Sequence, residues 1–192
     1  RDAKLFAEGA GRADVETIPT AVDLDFFSWQ APAALAADAT PTVAFTGSMD
    51  WQANIDGVGW FLAEIWPKVL AAEPSAQFVV VGRNPPGQLQ RQAAALSGVR
   101  FTGFVDDVRP HVRGAQVFTI PLRVGGGTRI KAFEAMAMGC PVVSTALGVE
   151  GLDVVDGEHL VQAEGAQAQA DAIVALLRDG ARRERLSRQA RQ

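Results

Sequence analysis

Between Thr42 and Ala163, short uninterrupted apolar runs alternate with longer stretches in which apolar residues recur every three or four positions. The runs are TVAFTG from Thr42, QFVVVG from Gln77, VRFTG from Val99, VFTIPL from Val117, CPVVST from Cys140 and HLVQA from His159. Apolar runs of this length that end in Gly or Thr predict strands covered on both faces. Between the first two, Ile55, Val58, Phe61, Leu62, Ile65 and Val69 lie at helical spacing. Asn54 is the expected cap of that helix, and Pro67 is expected to kink or shorten it. Strand–helix units repeated at this length predict a parallel sheet with helices on both faces.

The fold class implied is α/β, a doubly wound Rossmann-like parallel sheet filling residues 42–192. The ends read differently. Residues 1–41 hold one strand-like piece, VETIPT, then the acidic DLDFF, then an Ala- and Pro-rich stretch from Ala31 to Pro41 with the composition of a connector. Beyond Gln167, two helical segments separated by Asp179 and Gly180 close the chain. The second carries Arg182, Arg183, Arg185, Arg188 and Arg191 over a thin apolar face, which predicts a solvated helix rather than a membrane-surface one. The first residue is Arg1 and the last residues are still helix-like, so the expectation is a piece of a longer protein.

At 192 residues, with 48% hydrophobic and 21% charged positions, the chain can bury a full core. A net charge of −4 argues against nucleic acid as a partner. One cysteine, Cys140, forms no internal disulfide and fits a reducing compartment. With two separated histidines, His111 and His159, it makes no zinc-binding spacing. No apolar run approaches the length of about 20 residues that spans a bilayer.

The chemistry concentrates in VGGGTRIKAFEAMAMGCPVVST, Val124 to Thr145. Gly125, Gly126 and Gly127 follow an apolar strand and lead through Thr128 into a helix that carries Arg129, Lys131 and Glu134. Glycines admit close backbone approach, and a helix start offers N–H groups to an anion. Glu134 stands among Ala132, Phe133, Ala135, Met136, Ala137 and Met138, where a carboxylate is costly unless it is paired. It is either a rim ion pair with Lys131 or an acceptor for vicinal hydroxyls beside a phosphate-binding cation. At 3.6 residues per turn, Arg129 and Lys131 point about 200° apart, so the regular helix does not bring both to one phosphate. Other strand ends, Gly47 to Trp51, Gly82 to Asn84 and Gly103 to Asp107, fall where such sheets bind ligands. Asp106 and Asp107 are expected to cap a short helix. Neither a Walker sequence nor GxGxxG after the first strand is present, which weakens a dehydrogenase reading.

In order, IPTAVD at Ile18, TGSMDWQAN at Thr46, TGFVDDVRPHVRGAQVFTIPL at Thr102, GGGTRIKAFEAMAMGCPVVST at Gly125 and GVEGL at Gly148 resemble the C-terminal, donor-binding domain of retaining glycosyltransferases of family four. The likeness is strongest to bacterial sugar transferases of exopolysaccharide synthesis. It implies one half of a GT-B architecture, with residues 1–41 as the tail of an N-terminal domain and the interdomain connector. It implies hexosyl transfer from a nucleotide sugar, with retention and with no essential metal or cofactor, to a glycan or lipid-linked acceptor held by the absent N-terminal domain. A cytoplasmic location, peripheral to the inner membrane face, goes with it. Among site residues, Glu134 matches the second acid of the EX7E motif and would bond the ribose. Phe104 and Val105 would border the base, and the glycine run would lie beside diphosphate and sugar. The first acid of that motif falls at Gly126. The usual basic pair is replaced by the stretch Gly47 to Asp50 with Asn54, leaving Arg129, Lys131 or Arg83 to supply positive charge. A nucleotide-sugar epimerase, or a non-catalytic partner of the same fold, are the alternatives.

Overall fold

Six parallel strands form the sheet: β1 (Thr42–Thr46), β2 (Gln77–Val81), β3 (Val99–Gly103), β4 (Val117–Ile120), β5 (Val142–Ser144) and β6 (Val161–Gln162). The computed structural model describes residues 7–11, 21–31 and 40–191. The segments VETIPT and residues 32–39 of the connector lie outside these. The strand order is β3-β2-β1-β4-β5-β6, so the chain steps outward from β1 and then returns to its other side. The reversal between β1 and β4 opens a crevice at the carboxyl ends of the strands. The fold is thus the expected doubly wound Rossmann-like layer.

Alternation along the strands divides the core in two. Val43, Phe45, Phe78, Val80 and Val143 face one side, with helices from residues 52–72 and 165–178. Ala44, Phe118, Ile120 and Val142 face the other, with Ala132, Ala135 and Met136. The first helix is interrupted near the expected place: α1 (Gln52–Trp60) passes through a π turn (Phe61–Ile65) into α2 (Trp66–Ala72). Pro67 stands in the first turn of α2, where its lack of an N–H leaves no inner hydrogen bond unmade. The turn places Phe61 and Trp66 against Phe78, with ring centroids 4.3 and 5.6 Å from the Phe78 ring, and the Trp66 indole donates to the Ser97 carbonyl.

Further α-helices between residues 87 and 189 are α3 (Gly87–Ala94), α4 (Arg109–Arg113), α5 (Ile130–Ala137), α6 (Gly165–Arg178) and α7 (Gly180–Gln189). The run at His159 yields only the two-residue β6, because His159 Nδ1 accepts the Val155 N–H in a turn just before it. The expectation that α7 is a wholly solvated arginine helix needs correction at Arg183. That side chain is buried and donates to the Leu176 and Leu177 carbonyls, satisfying the exposed end of α6. Leu186 and Ser187 are buried beside it, and Ser187 Oγ accepts the Trp29 indole N–H.

Candidate functional site

A cleft of about 410 Å³ lies over the carboxyl ends of β1, β2 and β3, walled on the β4 side by α5. Thr46, Gly47 and Ser48 line it from β1, Val81, Gly82 and Arg83 from β2, and Phe104, Val105 and Val108 from beyond β3. Ile130, Lys131 and Glu134 line it from α5. Its floor requires glycine at position 82. The Gly47 N–H donates to the Val81 carbonyl, and a Cβ on Gly82 would stand 2.0 Å from the Gly47 oxygen. No side chain fits between these backbones.

Lys131 and Glu134, one turn apart on α5, both reach this cleft. The Lys131 Nζ donates to Asn54 Oδ1 at 2.9 Å and lies 4.1 Å from the centre of the Phe45 ring. Burial pushes its pKa down to about 7, against the opposing pull of Glu134. Glu134 is half-buried, and burial raises its pKa while the Lys131 charge draws it back. Among the described residues, no ion pair within 4 Å joins the two, and the Glu134 carboxylate meets no hydrogen-bond donor. The rim ion pair is therefore not formed. An acceptor and a cation stand side by side, each with capacity to spare.

The other expected cations are engaged. Arg83 pairs with Asp50 at 2.8 Å, and Asn84 and Ser48 also donate to Asp50, which holds its carboxyl below the usual range. Arg129 is turned away from the cleft, only 6% exposed, with its guanidinium donating to the Gly125 and Gly126 carbonyls and 3.9 Å from Glu150. As a cleft cation it is replaced by Lys131, and its own place is under the glycine run. Gly125, Gly126, Gly127 and Thr128 are exposed just ahead of α5 and do not line the cleft. Gly125 and Gly127 hold φ of +103° and +97°, so the run is a turn that glycine makes possible.

Asn54 is the residue whose role the sequence concealed. It does not cap α1, whose N-cap is Trp51; it is buried, donating through Nδ2 to the Ser48 carbonyl while accepting from Lys131. Its place on an apolar helix face was the available signal, because a buried amide must find partners. Asp107 does serve the start of α4, accepting the Arg109 N–H and pairing with its guanidinium. Neither His111 nor His159 lines the cleft, so an epimerase's acid–base pair has no histidine there. Cys140 is buried, its thiol pushed up to about 12.

Residues 40–179 match the family described as glycosyl transferases group 1. The chain is 36% identical over 178 residues to a phosphatidyl-myo-inositol mannosyltransferase of Mycobacterium leprae, covering 90% of this chain and 47% of the relative. It is 29% identical over 188 residues to a GDP-mannose-dependent monoacylated alpha-(1-6)-phosphatidylinositol monomannoside mannosyltransferase of Corynebacterium glutamicum, covering 88% and 48%. It thus spans about half the length of these relatives. Its fold is similar to that of Anabaena HepE, solved in complex with UDP and glucose, with TM-score 0.76, 17% identity and coverage of 98% and 54%. A sucrose-phosphate synthase of Thermosynechococcus elongatus is similar with TM-score 0.73, 25% identity and coverage of 98% and 50%.

Proposed function

Given that the chain belongs to the group 1 glycosyl transferases, we propose that residues 42–192 are the donor-binding domain of a retaining hexosyltransferase using a nucleoside-diphosphate sugar. Residues 1–41 then belong to the tail of a preceding domain and the connector. The observation that carries this reading is a pair of groups in one cleft: the Glu134 carboxylate, which meets no hydrogen-bond donor among the described residues, and the Lys131 amino group, held on a neutral amide. A nucleoside diphosphate offers each what it lacks, ribose hydroxyls for Glu134 and phosphate oxygens for Lys131. Phe104, 71% exposed at the β3 edge with Val105 beside it, offers an apolar surface to the base. Gly125 to Thr128, one step along the chain, lie toward the sugar.

In the reaction, the bond from the anomeric carbon to the diphosphate oxygen breaks, a new bond to an acceptor hydroxyl oxygen forms on the same face, and that hydroxyl's proton passes to the leaving diphosphate. Negative charge grows on the leaving diphosphate, and a fixed cation there stabilises it as it forms. The acceptor is a glycan or a lipid-linked molecule bound outside this chain. The setting is cytoplasmic, at the inner face of a membrane where surface glycolipid or polysaccharide is built. The mannosyltransferase relatives, named for phosphatidylinositol acceptors, support the lipid-linked alternative.

Thermal unfolding against UDP, GDP, ADP and their sugars tests this reading. One nucleotide family at 100 times its Kd is expected to stabilise the fold by about 2.7 kcal/mol, and no shift with any of them would overturn it. Gly47→Ala should weaken that binding roughly tenfold, the loss of one charge-assisted contact. Its Cβ would stand 2.7 Å from Asn54 Nδ2 and 2.8 Å from Lys131 Nζ, so the ammonium must move. Calorimetric titration of the variant measures the loss.

A further inference from the structure

Lys131 carries its charge in unusual surroundings. Among the described residues, one of its three N–H donors meets an acceptor, the neutral Asn54 Oδ1, and the ammonium otherwise faces the Phe45 ring and the Gly47 backbone. The Asn54 amide cannot turn away without loss, because its Nδ2 is committed to the Ser48 carbonyl at 2.7 Å. That bond aims Oδ1 at Lys131. The amide therefore fixes where the nitrogen sits while supplying no countercharge.

The groups around it are few. From α5, Glu134 favours the charged form and Arg129 opposes it; α1 presents the neutral Asn54, and β1 presents Phe45. Beyond β2, Arg83 is occupied by Asp50. Burial outweighs Glu134 and brings the Lys131 pKa down to about 7.

Resting on the donor-site reading above, we propose that Asn54 is a positioning residue that holds Lys131 at the cleft floor beside Gly47, and that Lys131 takes up a solvent proton as the donor's diphosphate binds. The fraction of Lys131 that is neutral amine in the free protein gains one proton and becomes ammonium, and phosphate oxygens fill the two donor directions that the described residues leave open. An anion at this place raises the bound-state pKa above the free value. Binding is therefore strongest below the free value and weakens as pH rises through it toward the bound one.

The test is calorimetric titration of UDP-glucose and GDP-mannose between pH 7 and 8.5, where the phosphates of both stay ionised. Affinity for the sugar that binds is expected to fall about tenfold over this range, with net proton uptake seen in buffers of different ionisation heat. Lys131→Arg should flatten the profile, since guanidinium stays charged throughout. If that variant does not fold, Lys131→Met should give the same flat profile at lower affinity. Asn54→Ala should weaken binding at pH 7 when Lys131 is present and have little further effect in the Lys131→Met background. Tight binding with a flat native profile would overturn the proton uptake while leaving the donor site standing. Equal losses from Asn54→Ala in both backgrounds would overturn the positioning role. No binding of either sugar at millimolar concentration at any pH would overturn the donor reading itself.

Discussion

Glu134→Ala is expected to weaken nucleotide-sugar binding on the order of a hundredfold while leaving the unliganded fold at least as stable. The carboxylate is half-buried and meets no donor among the described residues, so it contributes no hydrogen bond to the free structure they form. On the proposed reading it accepts two hydroxyls of the bound ribose, each a charge-assisted bond worth about 1.5–3 kcal/mol, and losing both accounts for the effect. The free protein should respond in the opposite direction. The folded-state pKa of Glu134 is raised by burial, so ionisation at neutral pH disfavours folding. Stability from this group is full below the ordinary carboxylate value and is lost as pH rises through the folded value. Glu134→Gln should therefore gain stability over the native chain at pH 7 and match it at low pH. Unfolding curves at several pH values, alongside titrations with the nucleotide sugar, measure both halves. A marked drop in midpoint at neutral pH for Glu134→Gln would make Glu134 a structural residue.

The second large effect concerns the core beneath the π turn. Trp66→Ala is expected to cost about 3–5 kcal/mol and lower the unfolding midpoint by roughly 10 °C. Trp66 is 0% exposed, packs on Phe61 and Phe78, and its indole satisfies the Ser97 carbonyl, which the variant would leave without that donor. Trp51, 71% exposed at the start of α1, is the internal control. Its replacement by alanine should change stability by no more than about 0.5 kcal/mol. Thermal and urea unfolding of both variants distinguishes them, and similar midpoints would contradict the burial assigned to Trp66.

The six strands were legible because each is an apolar run, and a parallel sheet covered on both faces needs nothing else from its sequence. Helical spacing gave α1, and Pro67 gave the break in it, although not the π turn through which the break is made. Glu134 was legible for a related reason, a carboxylate set in apolar company. Arg129 and Lys131 could be separated by helical geometry, but their roles could not be. A residue at a helix start can turn either way, and only the carbonyls of the glycine run drew Arg129 inward. Arg183 was read as solvated because nothing in its own segment shows the end of α6 that it caps.

The sequence by itself determined the α/β layer, the family and the helix that walls the cleft. These depend on local pattern and on order along the chain. The tertiary structure alone decided which charge serves the cleft. Asn54 and Lys131 stand 77 positions apart in the chain and meet because β4 returns beside β1, carrying α5 over the end of the first strand. Whether a cation is free, paired or buried depends on such neighbours, since burial and nearby charge set its energy and both come from segments remote in sequence.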